Sequence, residues 1–302
     1  MDGLRHEFFA MGSDCVVHLQ GCSPSAAEAI LRSAEAEVRR IELKYSRYRA
    51  DSELSRINAV AADGGETFVD PETRGLIDFA QACHRKSDGA FDITSGLLRA
   101  GWDFKGASLP TQSALDRLLP RIGMDKVKLT DVGVAFTRAG MELDFGGLGK
   151  EYAGDRAAEI CVSLGAQHGF VDLGGDIRVI GPQPDGQPWR IGIRDPRDPA
   201  LLIAEVRLQS GALATSGDYE RFMEVDGRRY CHILDPRTGW PSSGLSSVTV
   251  ITDSCLVAGS LATSAMVKGA DGPAWLQRLG VRHILVDDRG ARTGTEPVIL
   301  RP

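Results

Sequence analysis

The sequence predicts an α+β fold, mostly antiparallel sheets with packed helices, and three observations carry that prediction. The second half is a succession of short strands joined by turns. The helices open on recognisable caps. The long strand–helix–strand alternation that a parallel sheet requires is missing. With 302 residues, 42% hydrophobic and 25% charged, the chain has ample length for a core. That composition excludes a disordered chain, a collagen-like repeat and a disulfide scaffold.

Residues 6–19 read as a strand broken at Met11-Gly12-Ser13. Ser23 then stands as an N-cap with Pro24 at the first helical position. Ile30, Ala34, Val38, Ile41 and Tyr45 recur every three or four residues, so the spacing predicts a helix reaching about Tyr48. Asp70-Pro71 opens a second helix by the same chemistry, with Leu76, Phe79, Ala80 and Cys83 as its stripe, ending near Asp88-Gly89. A short helix over Ser113–Leu119 stops at Pro120. Residues 126–145 alternate around two turn signals, Asp131-Val132-Gly133 and Arg138-Ala139-Gly140, and predict a small antiparallel meander. The glycine cluster Gly146-Gly147-Leu148-Gly149 leads into a helix from Lys150 to Leu164. Strands are expected at 168–173, 176–180, 189–194, 202–208, 212–215, 220–225, 228–233 and 246–252. Helices at 254–268 and 272–279 and a strand at 282–287 follow. No low-complexity linker divides the chain, so residues 1–302 read as one domain with a smaller subregion around 70–125.

A formal charge of −6 without a basic stripe disfavours nucleic-acid binding. Cys15, Cys22, Cys83, Cys161, Cys231 and Cys255 form no C-x-x-C pair and read as reduced, mostly buried thiols. No stretch approaches the roughly 18 apolar residues of a membrane span. Leu19-Gln20-Gly21-Cys22 looks like a lipoprotein box, but Arg5, His6, Glu7 and Asp14 precede it, so it reads as a strand ending at a glycine turn. The expected location is cytoplasmic.

Glycine is in surplus, at 35 of 302 residues against an average of about 7%. Part of it falls in Asp144-Phe145-Gly146-Gly147-Leu148-Gly149-Lys150-Glu151, where a strand feeds a glycine loop and then a helix. Such a junction offers backbone N–H groups and a positive helix end to an anion. It is not a P-loop: Asp144 stands where a glycine is needed, and Glu151 where Ser or Thr would ligate magnesium. Nor is it a dinucleotide fingerprint, because Tyr152 takes the third glycine position. A phosphate site and a plain tight connection both fit it. Asp172-Leu173-Gly174-Gly175-Asp176 is either a turn or a close approach to a ligand. Thr215-Ser216-Gly217-Asp218-Tyr219 is a third polar cluster, at a strand end. In the fourth, Tyr230 to Gly239, His232 and Asp235 bracket a strand end and a Pro-led turn, and a lone His is structural or catalytic. The six histidines make no H-x-H or H-E-x-x-H pair, and Ala258-Gly259-Ser260-Leu261-Ala262 is not a nucleophile elbow. The residues alone therefore reach an α+β protein with an anionic-ligand site.

Taken in order, these clusters resemble the ApbE-type flavin transferases. The matching segments are Met11-Gly12-Ser13, Ser46-Arg47-Tyr48 with Asp51 to Asn58, Phe91-Asp92-Ile93-Thr94, and Asp144 to Lys150 with Tyr152 and Asp155. Asp172 to Ile177, Thr215 to Tyr219 and His232 to Gly239 continue the series. The resemblance implies a tunnelling-type α+β fold with FAD between a larger and a smaller subregion. It also implies that FMN is transferred from FAD to a target protein. Met11, Gly12, Tyr48 and Ser52 would line the flavin and adenine side. The loop containing Gly147 and Lys150, with Gly174, Gly175 and Asp176, would surround ribose and pyrophosphate. Asp144 and Asp155 are implied as cofactor-binding residues too, and Thr215, Ser216, Gly217 and Asp218 would bind further along. His232, with Asp235 beside it in the motif, would be the catalytic group, taking the proton of a target threonine that attacks the FMN-side phosphorus as AMP leaves.

In the resembling family the cation is magnesium, held by a glycine-loop carbonyl and by an Asp and a Thr four residues apart on a helix. Gly149 would supply the carbonyl and Thr263 the hydroxyl, but Gly259 stands where the Asp is expected. Asp253 is the acid that could reach in instead. Magnesium at phosphates relies on one or two carboxylates, so two activities are expected: FMN transfer, or an FAD-dependent oxidoreductase or flavin carrier that has lost metal-dependent transfer. Family targets carry a D-x-x-[ST]-G-A-T motif. Asp92 to Leu98 matches its first five positions but ends in Leu98, which has no hydroxyl, so the expected partner is a separate acceptor protein.

Overall fold

The computed structural model describes residues 3–104, 106 and 108–296. Strands β1 (Leu4–Ala10) and β2 (Ser13–Gln20) form a hairpin whose turn residues, Met11 and Gly12, have φ of 54° and 76°. Positive φ at both central positions gives the turn whose twist matches that of the flanking strands. Helix α1 (Pro24–Tyr45) begins where the Ser23 hydroxyl accepts the Ala26 N–H at 3.3 Å. It buries the expected face and stops three residues before Tyr48.

Helix α2 (Glu53–Asp63) is absent from the sequence expectation, since its buried face holds only Leu54, Ile57 and Ala61. Ser52 caps it, accepting the Ser55 N–H at 3.0 Å. Strand β3 (Glu66–Phe68) follows, then α3 (Pro71–Lys86), capped by Asp70, and α4 (Gln112–Leu118). Strands β4 (Val127–Leu129) and β5 (Gly133–Phe136) pair as expected, but the third strand of that sheet is β3 rather than residues 141–145. The Asn58 side chain takes both backbone groups of Leu143, at 2.8 and 2.9 Å, in place of a ladder partner.

Helix α5 (Gly149–Ser163) is followed by β6 (His168–Leu173), β7 (Asp176–Gly181), β8 (Trp189–Arg194), β9 (Leu202–Leu208) and β10 (Gly211–Gly217). Then come β11 (Phe222–Val225), β12 (Arg228–Cys231), β13 (Leu245–Thr252), α6 (Cys255–Lys268), α7 (Gly272–Leu279), β14 (Arg282–Asp287) and the unforeseen β15 (Arg292–Gly294). Among the described residues the main sheet has eight strands in the order β1-β2-β6-β7-β10-β13-β14-β15, and its pairings are antiparallel. Helices α1, α5 and α6 cover one face. The β8–β9 hairpin packs on the other through Ile193, Ile203 and Val206 against Leu213, Ile251 and Ile284. Leu98, Trp102 and Leu115 form a further cluster with Met223 and Tyr230 of the β11–β12 hairpin. All six cysteines are free, four of them buried, and β2 ends at Gln20 before a glycine turn, as expected. Among the described residues, no helix is long and apolar enough to cross a membrane.

Register decides what meets at one end of this sheet. Leu173 pairs with Asp176 across a second turn of the same kind, Gly174-Gly175, with φ of 64° and 93°. Cys15 pairs with Leu173, so the β1–β2 and β6–β7 turns lie side by side, and the Gly174 N–H donates to the Asp14 carbonyl at 3.0 Å. Leu213 pairs with Ile177, which carries Thr215 to Gly217 past the start of β7 at that same end. Helix α5 starts there too: a Cβ on Gly149 would lie 3.8 Å from Met11 Cε.

Candidate functional site

Lys150, in the first turn of α5, reaches over the β6–β7 turn and pairs with Asp176 at 2.6 Å. Its Nζ lies 3.7 Å from where a Gly174 Cβ would be. Burial works against the Lys150 ammonium, but the carboxylates of Asp176 and Glu151 outweigh it and hold its pKa above the ordinary value. The other Asp176 oxygen accepts the Thr215 N–H at 3.2 Å. Thr215 shares a hydrogen bond with Thr249 at 2.8 Å, and Ser216 shares one with Thr263 at 3.0 Å. One fixed cation, two glycine turns, a helix start and the Ser216 and Thr263 hydroxyls therefore converge, while the Thr215–Thr249 pair lies on the opposite face of the sheet, and such a set is the chemistry of an anion cradle.

Glu151 follows Lys150 and is 7% exposed, with Oε2 buried and without a hydrogen-bond partner. Burial, reinforced by Asp176, pushes its carboxyl up to about 7. Its side chain crosses to α6, where a Cβ on Gly259 would stand 2.6 Å from Glu151 Cγ and 2.8 Å from Oε1. Thr263 is one helical turn further along α6, on the same face as Gly259. Among the described residues no group of three His, Cys, Asp or Glu could hold a metal. The oxygen donors present, a carboxylate with an orphaned atom, a hydroxyl and the Gly149 carbonyl, nevertheless suit a hard cation such as magnesium.

Other expected residues sit apart from this cluster or are occupied. Asp155 accepts the N–H groups of Cys255 and Leu256 at 2.8 and 2.9 Å, fastening the start of α6 to α5. Since Asp155 meets the start of α6 while Glu151 meets Gly259, the two helices run antiparallel. Asp253 is exposed at the opposite end of the sheet, just after the Thr252 that pairs with Ala212, so it does not supply the missing acid. Asp144 pairs with Arg47 and accepts the Gly146 N–H at 2.8 Å. Arg47 also donates to the exposed Tyr48 hydroxyl at 2.7 Å. Ser52 is spent capping α2, and Gly147 lies against the Phe91 ring. Gly217 packs against Tyr219, and Arg197 grips both Asp218 oxygens at 2.7 and 2.8 Å.

His232 donates from Nδ1 to the Arg221 carbonyl at 3.0 Å. A carbonyl only accepts, so Nε2 carries the lone pair of the neutral ring. The residue is exposed, yet the protein packed about the ring, with the Arg221 guanidinium, lowers its pKa below the ordinary value. Arg221 NH2 lies 3.5 Å from the position of a Gly12 Cβ, which brings the His232 strand end towards the Met11-Gly12 turn. Asp235, expected beside His232, instead takes Arg237 through Nε and NH2, at 2.8 Å each, and closes its own turn. Cys231 is buried while His232 is exposed, as opposite faces of a strand require. The acceptor-like Asp92 segment is scaffold: Thr94 is fully buried and bonds Asp92 and the Gly123 N–H.

Residues 11–285 match the sequence profile of the ApbE family. The chain belongs to the ApbE family. A Vibrio cholerae relative named FAD:protein FMN transferase is 35% identical over 234 residues, covering 75% of this chain and 69% of that protein. A Rhodobacter capsulatus relative of the same name is 30% identical over 292 residues, covering 94% of this chain. The chain spans only 55% of that relative's length. A crystal structure of the ApbE protein from Thermotoga maritima superposes with a TM-score of 0.91 at 34% identity, covering 98% of this chain and 97% of that one. The expected α+β architecture is thus the ApbE fold. Four groups that bond to or neighbour expected residues were not foreseen as participants: Glu151, Arg221, Arg197 and Arg47. Two of them carried a signal, Glu151 as an acid set directly after the glycine-loop lysine and Arg47 as a member of the Ser46-Arg47-Tyr48 segment.

Proposed function

We propose that this chain transfers FMN from FAD to a threonine or serine hydroxyl of an acceptor protein, releasing AMP. The observation that carries the reading is the convergence of Lys150, Gly174-Gly175, Asp176, Thr215 and Ser216 at one end of the sheet, with the side chain of Arg221, whose carbonyl holds His232, beside the Met11-Gly12 turn. That cluster supplies a cation and close backbone approach to a pyrophosphate. His232 Nε2 takes the acceptor hydroxyl proton. The hydroxyl oxygen bonds to the FMN-side phosphorus, and the pyrophosphate P–O bond to AMP breaks. Gly149 and Thr263 would hold magnesium, which when bound offsets charge on the pyrophosphate oxygens.

The test is incubation with FAD, Mg²⁺ and an acceptor protein bearing a D-x-x-[ST]-G-A-T motif. AMP release together with covalent FMN on the acceptor is the expected result. Stoichiometric FAD binding without AMP, and with reduction of the bound flavin by NADH, would move the assignment to a flavin carrier or oxidoreductase.

A further inference from the structure

Helix α6 carries a glycine where its inner face meets α5, and the space of the missing side chain is not empty. The Glu151 side chain enters it from α5, with Cγ 2.6 Å and Oε1 2.8 Å from the Gly259 Cβ position. A side chain larger than hydrogen at 259 and the observed Glu151 rotamer exclude each other. The second oxygen of Glu151 is buried without a donor. Nearly every buried carboxylate oxygen in a folded protein has a partner, so an orphan asks for one. Lys150, the adjacent cation, is already committed to Asp176 at 2.6 Å, and the Asp155 oxygens are held by the start of α6. What remains within one helical turn of the same face is Thr263, with Ser216 bonded to it.

We propose that the Glu151 carboxylate is a divalent-cation ligand, delivered from α5 into the space that Gly259 leaves open on α6, and that it acts with the Thr263 hydroxyl and the Gly149 carbonyl. The assignment rests on the FMN-transfer reading for its purpose but not for its test. All three are hard oxygen donors, the set that suits magnesium or manganese, and the carboxylate is the charged member. The same position is served by a longer acid from the facing helix, so the acid and the glycine depend on one another.

The test is a titration with Mn²⁺ followed by electron paramagnetic resonance, with and without FAD, on the full chain and three variants, each also melted. Glu151→Gln keeps the side-chain shape and removes the charge, and is expected to weaken Mn²⁺ by more than about 10–100-fold, the range for merely supporting groups, at an unchanged Tm. Gly259→Asp alone is expected to melt several degrees lower, because its Cβ meets Glu151. The exchange Glu151→Gly with Gly259→Asp should recover both Tm and Mn²⁺ affinity. Wild-type affinity in Glu151→Gln, or no Mn²⁺ binding by the wild type even with FAD, overturns the assignment. A chain that binds Mn²⁺ through Glu151 yet releases no AMP would instead sink the transfer reading and leave this one standing.

Discussion

At the scale of single residues, His232 makes the sharpest demand on the proposed reaction. Its Nδ1–H is fixed on the Arg221 carbonyl, so the neutral ring offers Nε2 as a base. Packing and the Arg221 charge hold the pKa down, so the ring is neutral and competent at pH 7. The His232 contribution to activity should be lost as pH drops through a value below the ordinary one of about 6.5, where the ring gains its proton. His232→Gln is expected to lower kcat about 10²–10⁴-fold and to abolish that acid limb in a kcat/KM profile. A profile with the limb intact in the variant would remove His232 from the base role. The sequence made His232 visible because its motif is local. Glu151 and Gly259 were each visible too, one as a mismatch to a P-loop and the other as a missing acid. Their relation was not, because it exists only where two antiparallel helices cross.

At the scale of elements, two neighbouring hairpin turns set the backbone around the candidate pyrophosphate site. Gly174 and Gly175 both have positive φ, but their surroundings differ. A Cβ on Gly174 would meet Ser13 Cβ at 2.7 Å, whereas one on Gly175 meets nothing within 4 Å. Gly175→Ala should therefore cost roughly 1 kcal/mol of stability from backbone conformation alone. Gly174→Ala adds displacement of the β1–β2 turn, and is expected to cost clearly more and to weaken FAD binding. Denaturant unfolding and flavin fluorescence titration of both variants check this, and equal effects would refute it. The elements themselves were largely legible, since α1, α3 and α5 announce themselves through caps or a glycine loop, and β6 to β13 through alternation and turns. What failed was what local pattern cannot carry. Helix α2 buries only a thin stripe, β3 and β15 have three residues each, and residues 141–145 are held by Asn58 rather than by a strand.

At the scale of the whole molecule, the candidate site is made by register. Turns after β1 and β6, the end of β10 and the start of α5 come from distant parts of the chain and meet only when the sheet is complete. The unfolded chain has no such cluster, so FAD should bind the native state alone and stabilise it by mass action. At a hundred times its Kd the gain is about 2.7 kcal/mol, which for a chain of this size raises Tm by roughly 4 °C. Which end of the sheet carries the effect is the discriminating point. Lys150→Met removes the cation that faces the glycine turns and should abolish most of the shift. Asp253→Ala, exposed at the far end, should retain it in full. Thermal melts of the three proteins with increasing FAD decide the matter. A wild-type Tm that FAD does not move, or a shift lost equally in both variants, would mean that the ligand does not occupy the end of the sheet where these elements meet.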